Sequence, residues 1–275
     1  MSNTLIIDTS FGSTVGIVGH EPIVETDSRT HVERLQVNIA KVVEAAGLQP
    51  SDINRVVVGV GPAPFTGLRA GLVAAKAIAF AQNAQILGCD SLLPQSLMMR
   101  SGAFEEAVKN GVICKDLLIN IPDYVDSCHS NIRHYVLSLN DARRRQVYMS
   151  LYDDEGNALI NMDIDYPQNV VTRVNEYLAS ETSENYCVDV LGHGAKKYVE
   201  DWRNIAHVGV IAEVSALDLG VQGLQIFEQC SLECANKDEH VKAVEPLYLR
   251  RPDVSVPNPL KHVLGSGEAN KVKEK

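Results

Sequence analysis

The feature that most constrains the fold is a valine-rich run at residues 53–60, followed by a glycine–proline break and an alanine-rich segment. The run has the composition of a strand buried inside a sheet. Gly61 and Pro62 end it, and the alanine- and glycine-rich segment 68–82 predicts a helix that packs closely against a neighbour. A buried strand that leads directly into such a helix indicates an α/β domain.

The other patterns in the first hundred residues support this class. Apolar runs at 5–7 and 14–18 flank a polar loop that contains glycine, which predicts a β-hairpin. Apolar side chains recur at helical spacing over 32–46, and Gly47 supplies a stop signal. The remaining elements expected in this part are a strand at 86–87 and a helix at 92–99. Together these elements predict a mixed sheet covered by helices.

The rest of the chain carries weaker patterns. Further strands are expected over 135–139, 147–152, 159–164 and 188–191, and helices over 170–178 and 215–230. Residues 103–134 carry the weakest pattern, so we expect an irregular insertion there. The division predicted from these patterns is a first lobe at 1–102, with a helix near residues 213–232 packing back on it, a smaller α/β lobe at 103–212, and a partly flexible extension at 233–275.

The charge balance restricts the partners of the chain. Its 275 residues carry 25 Lys and Arg against 35 Asp and Glu, a net charge of -10. Because clustered basic residues dominate affinity for phosphate backbones, we do not expect the chain alone to bind nucleic acid or an anionic membrane. The six cysteines form no C-x-x-C pair, and no apolar run is long enough to span a bilayer. We expect a cytoplasmic protein with free thiols.

Two loops could bind an anion. The first, at 8–10, follows the first strand and offers a carboxylate and hydroxyls to a metal-bound phosphate. The second, at 61–69, leads into a helix whose first N–H groups could bind an anion. The alternatives are a turn that satisfies its own backbone and a rigid connection with Thr66 as the helix N-cap. The candidate phosphate or nucleotide contacts are Asp8, Thr9, Ser10, Gly61, Pro62, Thr66, Gly67 and Arg69.

Three other motifs have both a functional and a structural interpretation. Arg143, Arg144 and Arg145 occupy a predicted turn, where they could contact RNA or an acidic partner, or only nearby acids and solvent. His31 could be a metal ligand or a base, but a histidine at a helix start is more often a surface or capping residue. Cys230 and Cys234 could share a helix face but lack the usual spacing of four zinc ligands. The sequence therefore assigns no catalytic residue and no metal site.

Taken in order, the motifs resemble the bacterial TsaB family, also called YeaZ. The matching stretches are 5–10, 31–35, 58–71 with 75–76, 141–144 with 147–148, 192–195 and 246–253. The resemblance covers 1–100 well and 135–255 more loosely. The chain departs from the family at Ala63-Pro64, where Gly-Ser is usual, and at Arg145-Gln146, where Gly-Glu is usual. Pro64 has no N–H group, which weakens an anion-binding role for its loop.

The resemblance implies the two-lobed α/β fold of actin, Hsp70 and sugar kinases, which is ribonuclease H-like. It also implies a part in making threonylcarbamoyladenosine, the tRNA modification beside the anticodon. In that pathway the catalytic subunit is a paralogue, TsaD, which holds a metal through an H-x-x-x-H pair. The equivalent positions here are Ser91 and Gln95, which are poor ligands for a transition metal. The chain is therefore expected to be a scaffold or activator subunit and not an enzyme.

The resemblance also implies the partners. A TsaD-type paralogue is expected to form a heterodimer with this chain. When the chain is alone, two copies are expected to form a homodimer. A TsaE-type ATPase is expected to join the complex with the paralogue. Contact with tRNA is expected only through the complex. No cofactor is expected to bind tightly, although ATP or ADP could lie at the subunit interface.

The partner interface is expected on the first long helix and the alanine-rich helix. The proposed contact residues are His31, Leu35, Ile39, Val42, Leu68, Ala70, Gly71, Ala74, Ala75 and Ile78. The alternative is that the small residues of the second helix pack only on their own sheet.

Two other functions stay open at this point. One is a metal-dependent hydrolase that uses His31, because relatives have been labelled glycoproteases. The other is an ATP-dependent sugar kinase of the same fold class. A kinase needs a second phosphate loop in the C-terminal half, and the 192–195 stretch brings neither a carboxylate nor a hydroxyl.

Overall fold

The valine-rich run is the fourth strand of a five-stranded mixed sheet with the order β3-β2-β1-β4-β5. Its strands are β1 (Thr4–Asp8), β2 (Ser13–Ile17), β3 (Ile23–Glu25), β4 (Arg55–Gly61) and β5 (Gln85–Asp90). The first three strands are antiparallel neighbours, and β1, β4 and β5 run parallel. The computed structural model describes residues 2–27, 31–120, 132–180, 186–237 and 244–250.

A second, six-stranded sheet has the order β6-β11-β10-β7-β8-β9. Its strands are β6 (Leu118–Asn120), β7 (Arg133–Asp141), β8 (Val147–Tyr152), β9 (Ala158–Asp165), β10 (Tyr186–His193) and β11 (Val208–Ala212). The central strands β7, β10 and β11 are parallel, and the hairpin of β8 and β9 extends the sheet. Because β1 and β4, and likewise β7 and β10, are parallel neighbours, their carboxyl ends lie together at one edge of each sheet.

The helices divide into an outer set and a central set. They are α1 (His31–Ala45), α2 (Phe65–Gln82), α3 (Leu93–Arg100), α4 (Ala103–Lys109), α5 (Pro167–Ser180), α6 (Val199–Trp202) and α7 (Val221–Lys237). One cluster buries α1 and α2 against the first sheet, and another buries α5 and α6 against the second. Helices α3, α4 and α7 lie between the sheets, where Phe104 and Phe227 pack in a cluster that contains Ile6 of β1 and Val136 of β7.

Three expectations about individual elements change. The segment expected to be an irregular insertion contains α4, whose buried Ala103, Phe104 and Ala107 pack in the central cluster, and the edge strand β6. The N-cap of α2 is Pro64 instead of Thr66, because the helix begins at Phe65. The helix expected over 215–230 is a 3₁₀ turn followed by α7.

Helix α7 packs against the first sheet, where it contacts β5, β1 and α3. The extension expected over 233–275 falls mostly outside the part that the structure describes. No helix in the described ranges combines the length and apolar character needed to cross a bilayer.

Candidate functional site

The first predicted loop places a buried carboxylate at the carboxyl end of β1. Asp8 accepts hydrogen bonds from the hydroxyl groups of Ser10 and Ser91, the latter at 2.8 Å from Oδ1. A Cβ at Gly59 on the neighbouring strand would lie 1.8 Å from the same oxygen, so only glycine leaves room for this side chain. Burial raises the pKa of Asp8 above its usual value, although the two serine hydrogen bonds act in the opposite direction.

The second predicted loop lies against the first because α2 approaches it closely. A Cβ at Gly71 would lie only 2.5 Å from Oγ1 of Thr9, which is buried and has no hydrogen-bond partner in the described ranges. No side chain caps the first N–H groups of α2, where the N-cap is Pro64. The partial positive charge of this helix end therefore lies beside the polar loop that follows β1.

A cavity of about 670 Å³ lies where the two loops meet the second lobe. It is lined by Thr9, Ser10, Thr66 and Gly67 from the predicted loops and by Arg143 from the turn after β7. Its volume is in the usual range for small-ligand sites. The structure therefore brings together four of the eight predicted loop contacts and one of the three predicted arginines.

The other predicted loop contacts have different positions. Gly61 and Pro62 are buried, and the Gly61 carbonyl accepts a hydrogen bond from the backbone N–H of Ser91. The guanidinium of Arg69 lies over the Phe65 ring, and its Nε donates to the hydroxyl of Tyr248 at 3.0 Å. Neither arrangement points these groups into the 670 Å³ cavity.

Behind this cavity, the cleft between the lobes is closed. The ring of Phe11 stacks on the ring of His193 with centroids 3.7 Å apart. The remaining space is a cavity of about 30 Å³, which has room for about one water molecule. Burial alone would raise the pKa of Asp218, but the adjacent His193 and the Ser215 hydrogen bonds hold it below its usual value. The Asp218–His193 pair stabilises this closed arrangement.

Ser91 and Gln95 both line the narrow cavity. The Ser91 hydroxyl donates to Asp8, and Nε2 of Gln95 donates to the Ser91 carbonyl at 3.2 Å. A serine hydroxyl and an amide are weak ligands for a divalent transition metal compared with imidazole. At these two positions the cleft holds a hydrogen-bonded pair.

The structure corrects the residues expected at the partner interface. The side chains that it buries within this chain's own core are Leu35, Ile39, Val42, Leu68, Gly71, Ala74 and Ala75. The small residues Gly71, Ala74 and Ala75 therefore pack on their own sheet, whereas Ile39 also lines a groove at the surface. Ala70 and Ile78 are partly exposed. His31 begins α1, but its side chain lies outside the described part.

The outward side of α1 and α2 nevertheless exposes three large apolar side chains among its charged ones. It exposes Val37 by 53%, Val73 by 67% and Phe80 by 92%. A groove of about 680 Å³ runs between the two helices, and Ile39 and Ile78 both contribute to its lining. We call these three exposed side chains and this groove the α1–α2 face.

Two features near the site were not predicted. Asp90, at the carboxyl end of β5, accepts a hydrogen bond from the hydroxyl of Tyr152 at 3.0 Å, which joins the lobes. A signal was present, because polar residues at the carboxyl ends of parallel strands often line a cleft. The backbone is left-handed at all three residues 143–145, which form the turn that carries Arg143. No pattern in the sequence predicted this conformation.

The sequence of this chain is similar to several known proteins. The sequence model of a family described as "TsaD: tRNA N6-adenosine threonylcarbamoyltransferase" matches residues 18–106. An uncharacterized protein of Mycobacterium tuberculosis is 32% identical over 161 residues, which cover 56% of this chain and 61% of that protein. The tRNA threonylcarbamoyladenosine biosynthesis protein TsaB of Escherichia coli is 26% identical over 131 residues, covering 48% of this chain and 45% of that protein.

Among solved structures, YeaZ from Pseudomonas aeruginosa has a TM-score of 0.59 at 19% identity, covering 90% of this chain and 100% of that one. The chain therefore has the actin-like, ribonuclease H-like α/β fold of the YeaZ structures. The predicted resemblance to the TsaB (YeaZ) family is confirmed by these relatives. The chain spans 61% of the length of the mycobacterial relative that it matches.

Proposed function

We propose that this chain is a non-catalytic subunit in the synthesis of tRNA threonylcarbamoyladenosine, and that it pairs with a TsaD-type paralogue. The similarity to the E. coli tRNA threonylcarbamoyladenosine biosynthesis protein and the matching family model support the pathway. Within the chain, Ser91 and Gln95 support the non-catalytic role, because they replace imidazoles at the positions where the paralogue holds its metal.

The observation that carries the pairing is the α1–α2 face. A phenylalanine exposed by 92% beside an apolar groove is unusual on a surface that stays in water. Aromatic side chains that enter a partner's pocket supply much of the energy of protein interfaces. Phe80 and Val73 are therefore the proposed contacts, in place of the buried stripe of small residues. The same face would pair two copies of this chain when the paralogue is absent.

We extend the proposal to an adenine nucleotide at the 670 Å³ cavity of the assembled complex. Phosphates would lie at the uncapped N-terminus of α2, near the Thr66 and Gly67 backbone and the Arg143 guanidinium. Because the chain carries a net charge of -10, the tRNA contacts would belong mainly to the partner.

Depletion of the protein in its own cells tests the pathway. Mass analysis of tRNA nucleosides should then show loss of threonylcarbamoyladenosine, with recovery when the wild-type chain is expressed again. Normal levels of the modified nucleoside after full depletion would overturn the proposal.

Polar substitutions on the α1–α2 face test the pairing. Val73→Asp and Phe80→Ser should weaken binding to the paralogue by about tenfold or more, because interface anchors are worth about 2 kcal/mol or more. Val112→Asp is the matched control, since Val112 is also an exposed valine, 57% accessible, and lies in the loop after α4. If Val73→Asp binds the paralogue as tightly as Val112→Asp does, the partner contacts another surface.

A further inference from the structure

A second group of polar side chains lies at the opposite end of the second sheet from the cleft. His134 is six residues before Asn140 on β7, which places it about 20 Å from the cleft end of that strand. On the parallel neighbour β10, Cys187 pairs in register with His134, and Asp189 follows on the same face. This face points toward α4, because Val136 and Leu191, which continue it, pack in the same cluster as Phe104.

The donor atoms of these three residues converge. Nδ1 of His134 lies 2.6 Å from Oδ2 of Asp189 and 3.4 Å from Sγ of Cys187. All three donor atoms lie within 4.8 Å of one another. In a catalytic triad the carboxylate and the nucleophile would contact different ring nitrogens. Here the Asp189 carboxylate and the Cys187 thiol both contact Nδ1, so the three donor atoms are arranged as ligands of one ion would be.

The surroundings hold this arrangement in place. Asp189 is fully buried, and its other oxygen, Oδ1, accepts a hydrogen bond from the Val210 backbone N–H at 2.8 Å. Such a bond fixes the orientation of a metal-binding carboxylate. His134 is partly exposed, with 29% of its side chain accessible, which leaves an entry path from solvent.

A carboxylate of α4 lies near this group without joining it. Oε2 of Glu105 is buried and has no hydrogen-bond partner among the described residues. In the described part of the chain, the donor atoms that lie within 4.8 Å of one another are those of His134, Cys187 and Asp189. Because the Glu105 carboxylate interacts electrostatically with His134 and Asp189, its negative charge would favour a cation held by the three residues.

We propose that His134, Cys187 and Asp189 bind a divalent transition-metal ion, Zn²⁺ by preference, with water as the fourth ligand. One nitrogen, one sulfur and one carboxylate oxygen form a donor set that zinc accepts, with bonds of about 2.0 to 2.3 Å. Tetrahedral bonds of that length put neighbouring donor atoms about 3.3 to 3.8 Å apart. Nδ1 of His134 and Oδ2 of Asp189, which are 2.6 Å apart, would therefore separate when the ion enters. Binding displaces the protons on Nδ1 and on the thiol into solvent.

Cobalt binding to the reduced, metal-stripped full-length protein tests the site. We expect one equivalent of Co²⁺ to produce a thiolate-to-cobalt charge-transfer band and tetrahedral visible bands, and Zn²⁺ to abolish both. Cys187→Ser should remove the charge-transfer band, whereas Cys114→Ser, at an exposed cysteine, should keep it. Absence of a band in the folded wild-type protein, or its persistence in Cys187→Ser, would overturn the proposal.

A pair of adjacent glutamates tests the effect of the nearby carboxylate. Glu105→Gln should weaken Co²⁺ binding but keep the charge-transfer band, because it removes a negative charge near the cation and leaves the ligands in place. Glu106→Gln, on the exposed side of the same helix, should leave the affinity unchanged. Equal affinities for the two variants, with circular dichroism showing that both are folded, would contradict a cation bound near Glu105. Because the readout is spectroscopic, it does not depend on the proposed role in tRNA modification.

Discussion

Three consecutive residues of the turn between β7 and β8 have a left-handed backbone. The φ angles of Arg143, Arg144 and Arg145 are 62°, 52° and 62°. Each such residue costs about 1 to 2 kcal/mol when it carries a Cβ. In this turn the Ala142 N–H donates to the Gln146 carbonyl, and the Gln146 N–H donates to the Arg143 carbonyl, both at 3.0 Å. Arg250 also donates to the Ala142 carbonyl at 2.9 Å. Strain of this kind persists where the surrounding structure fixes it.

The resemblance to the TsaB family implies glycine at the position of Arg145, where the positive φ would suit it. We expect Arg145→Gly to raise the free energy of unfolding by about 1 kcal/mol, because glycine adopts a positive φ without a steric cost. Urea denaturation measures the change. Arg203→Gly is the matched control, since Arg203 is also exposed but has a φ of -61°, so glycine there should lower stability. A loss of stability in Arg145→Gly would contradict the strain argument.

The contact between His134 and Asp189 gives a pH-dependent contribution to stability when no metal is bound. The hydrogen bonds to Asp189 and Cys187 raise the pKa of His134 from 6.5 to about 10. Because this pKa is higher in the folded state, the stabilisation is fully present below about pH 6.5 and is lost as the pH rises toward about 10. We expect the stability difference between wild type and His134→Gln, measured with a chelator, to shrink over this range. A difference that is constant with pH would contradict the assigned ion pair.

At the level of elements, periodicity in the sequence predicted most of the helices and strands. It identified the apolar face of α1 and the small residues of α2, because those patterns are local. It could not tell whether that face packs on the chain's own sheet or on a partner, which is why Ala74 and Ala75, which the structure buries, were expected at a partner interface. Helix α4 is only seven residues long, and its order comes from packing between the sheets. The convergence of His134 and Cys187 depends on strand register, which a single sequence does not reveal.

The close approach of α2 to the loop after β1 is testable at Gly71. Alanine there would place its Cβ 2.5 Å from Oγ1 of Thr9, so we expect Gly71→Ala to lower the free energy of unfolding by about 1 to 3 kcal/mol. In a Thr9→Ala background the obstructing atoms are gone, and alanine should become neutral or stabilising because it favours a helix. A double-mutant cycle by urea denaturation measures this coupling. Equal effects of Gly71→Ala in both backgrounds would mean that the contact does not set the position of α2.

At the scale of the whole molecule, two contacts close the lobes on each other. Phe11 stacks on His193 at one side of the cleft, and the Tyr152 hydroxyl donates to Asp90 at the other. Asp90 also accepts a hydrogen bond from the Leu92 backbone N–H at 2.7 Å. Phe11 and His193 both line the narrow cavity, which has room for about one water molecule. The larger cavity, of about 670 Å³, lies beside α2.

The Asp90 contact makes the closure sensitive to pH. Burial raises the pKa of Asp90 from 3.8 to about 6, and the hydrogen bonds from Leu92 and Tyr152 oppose that rise. A carboxyl group with a raised pKa stabilises the fold in its protonated form, so this contribution is complete below about pH 3.8 and is lost as the pH rises through about 6. Wild type should therefore lose stability relative to Asp90→Asn over this range. Tyr152→Phe removes one opposing hydrogen bond and should move the midpoint to higher pH. Unfolding curves measured from about pH 4 to about pH 7 check both outcomes, and an unchanged midpoint in Tyr152→Phe would show that Tyr152 does not govern the ionisation of Asp90.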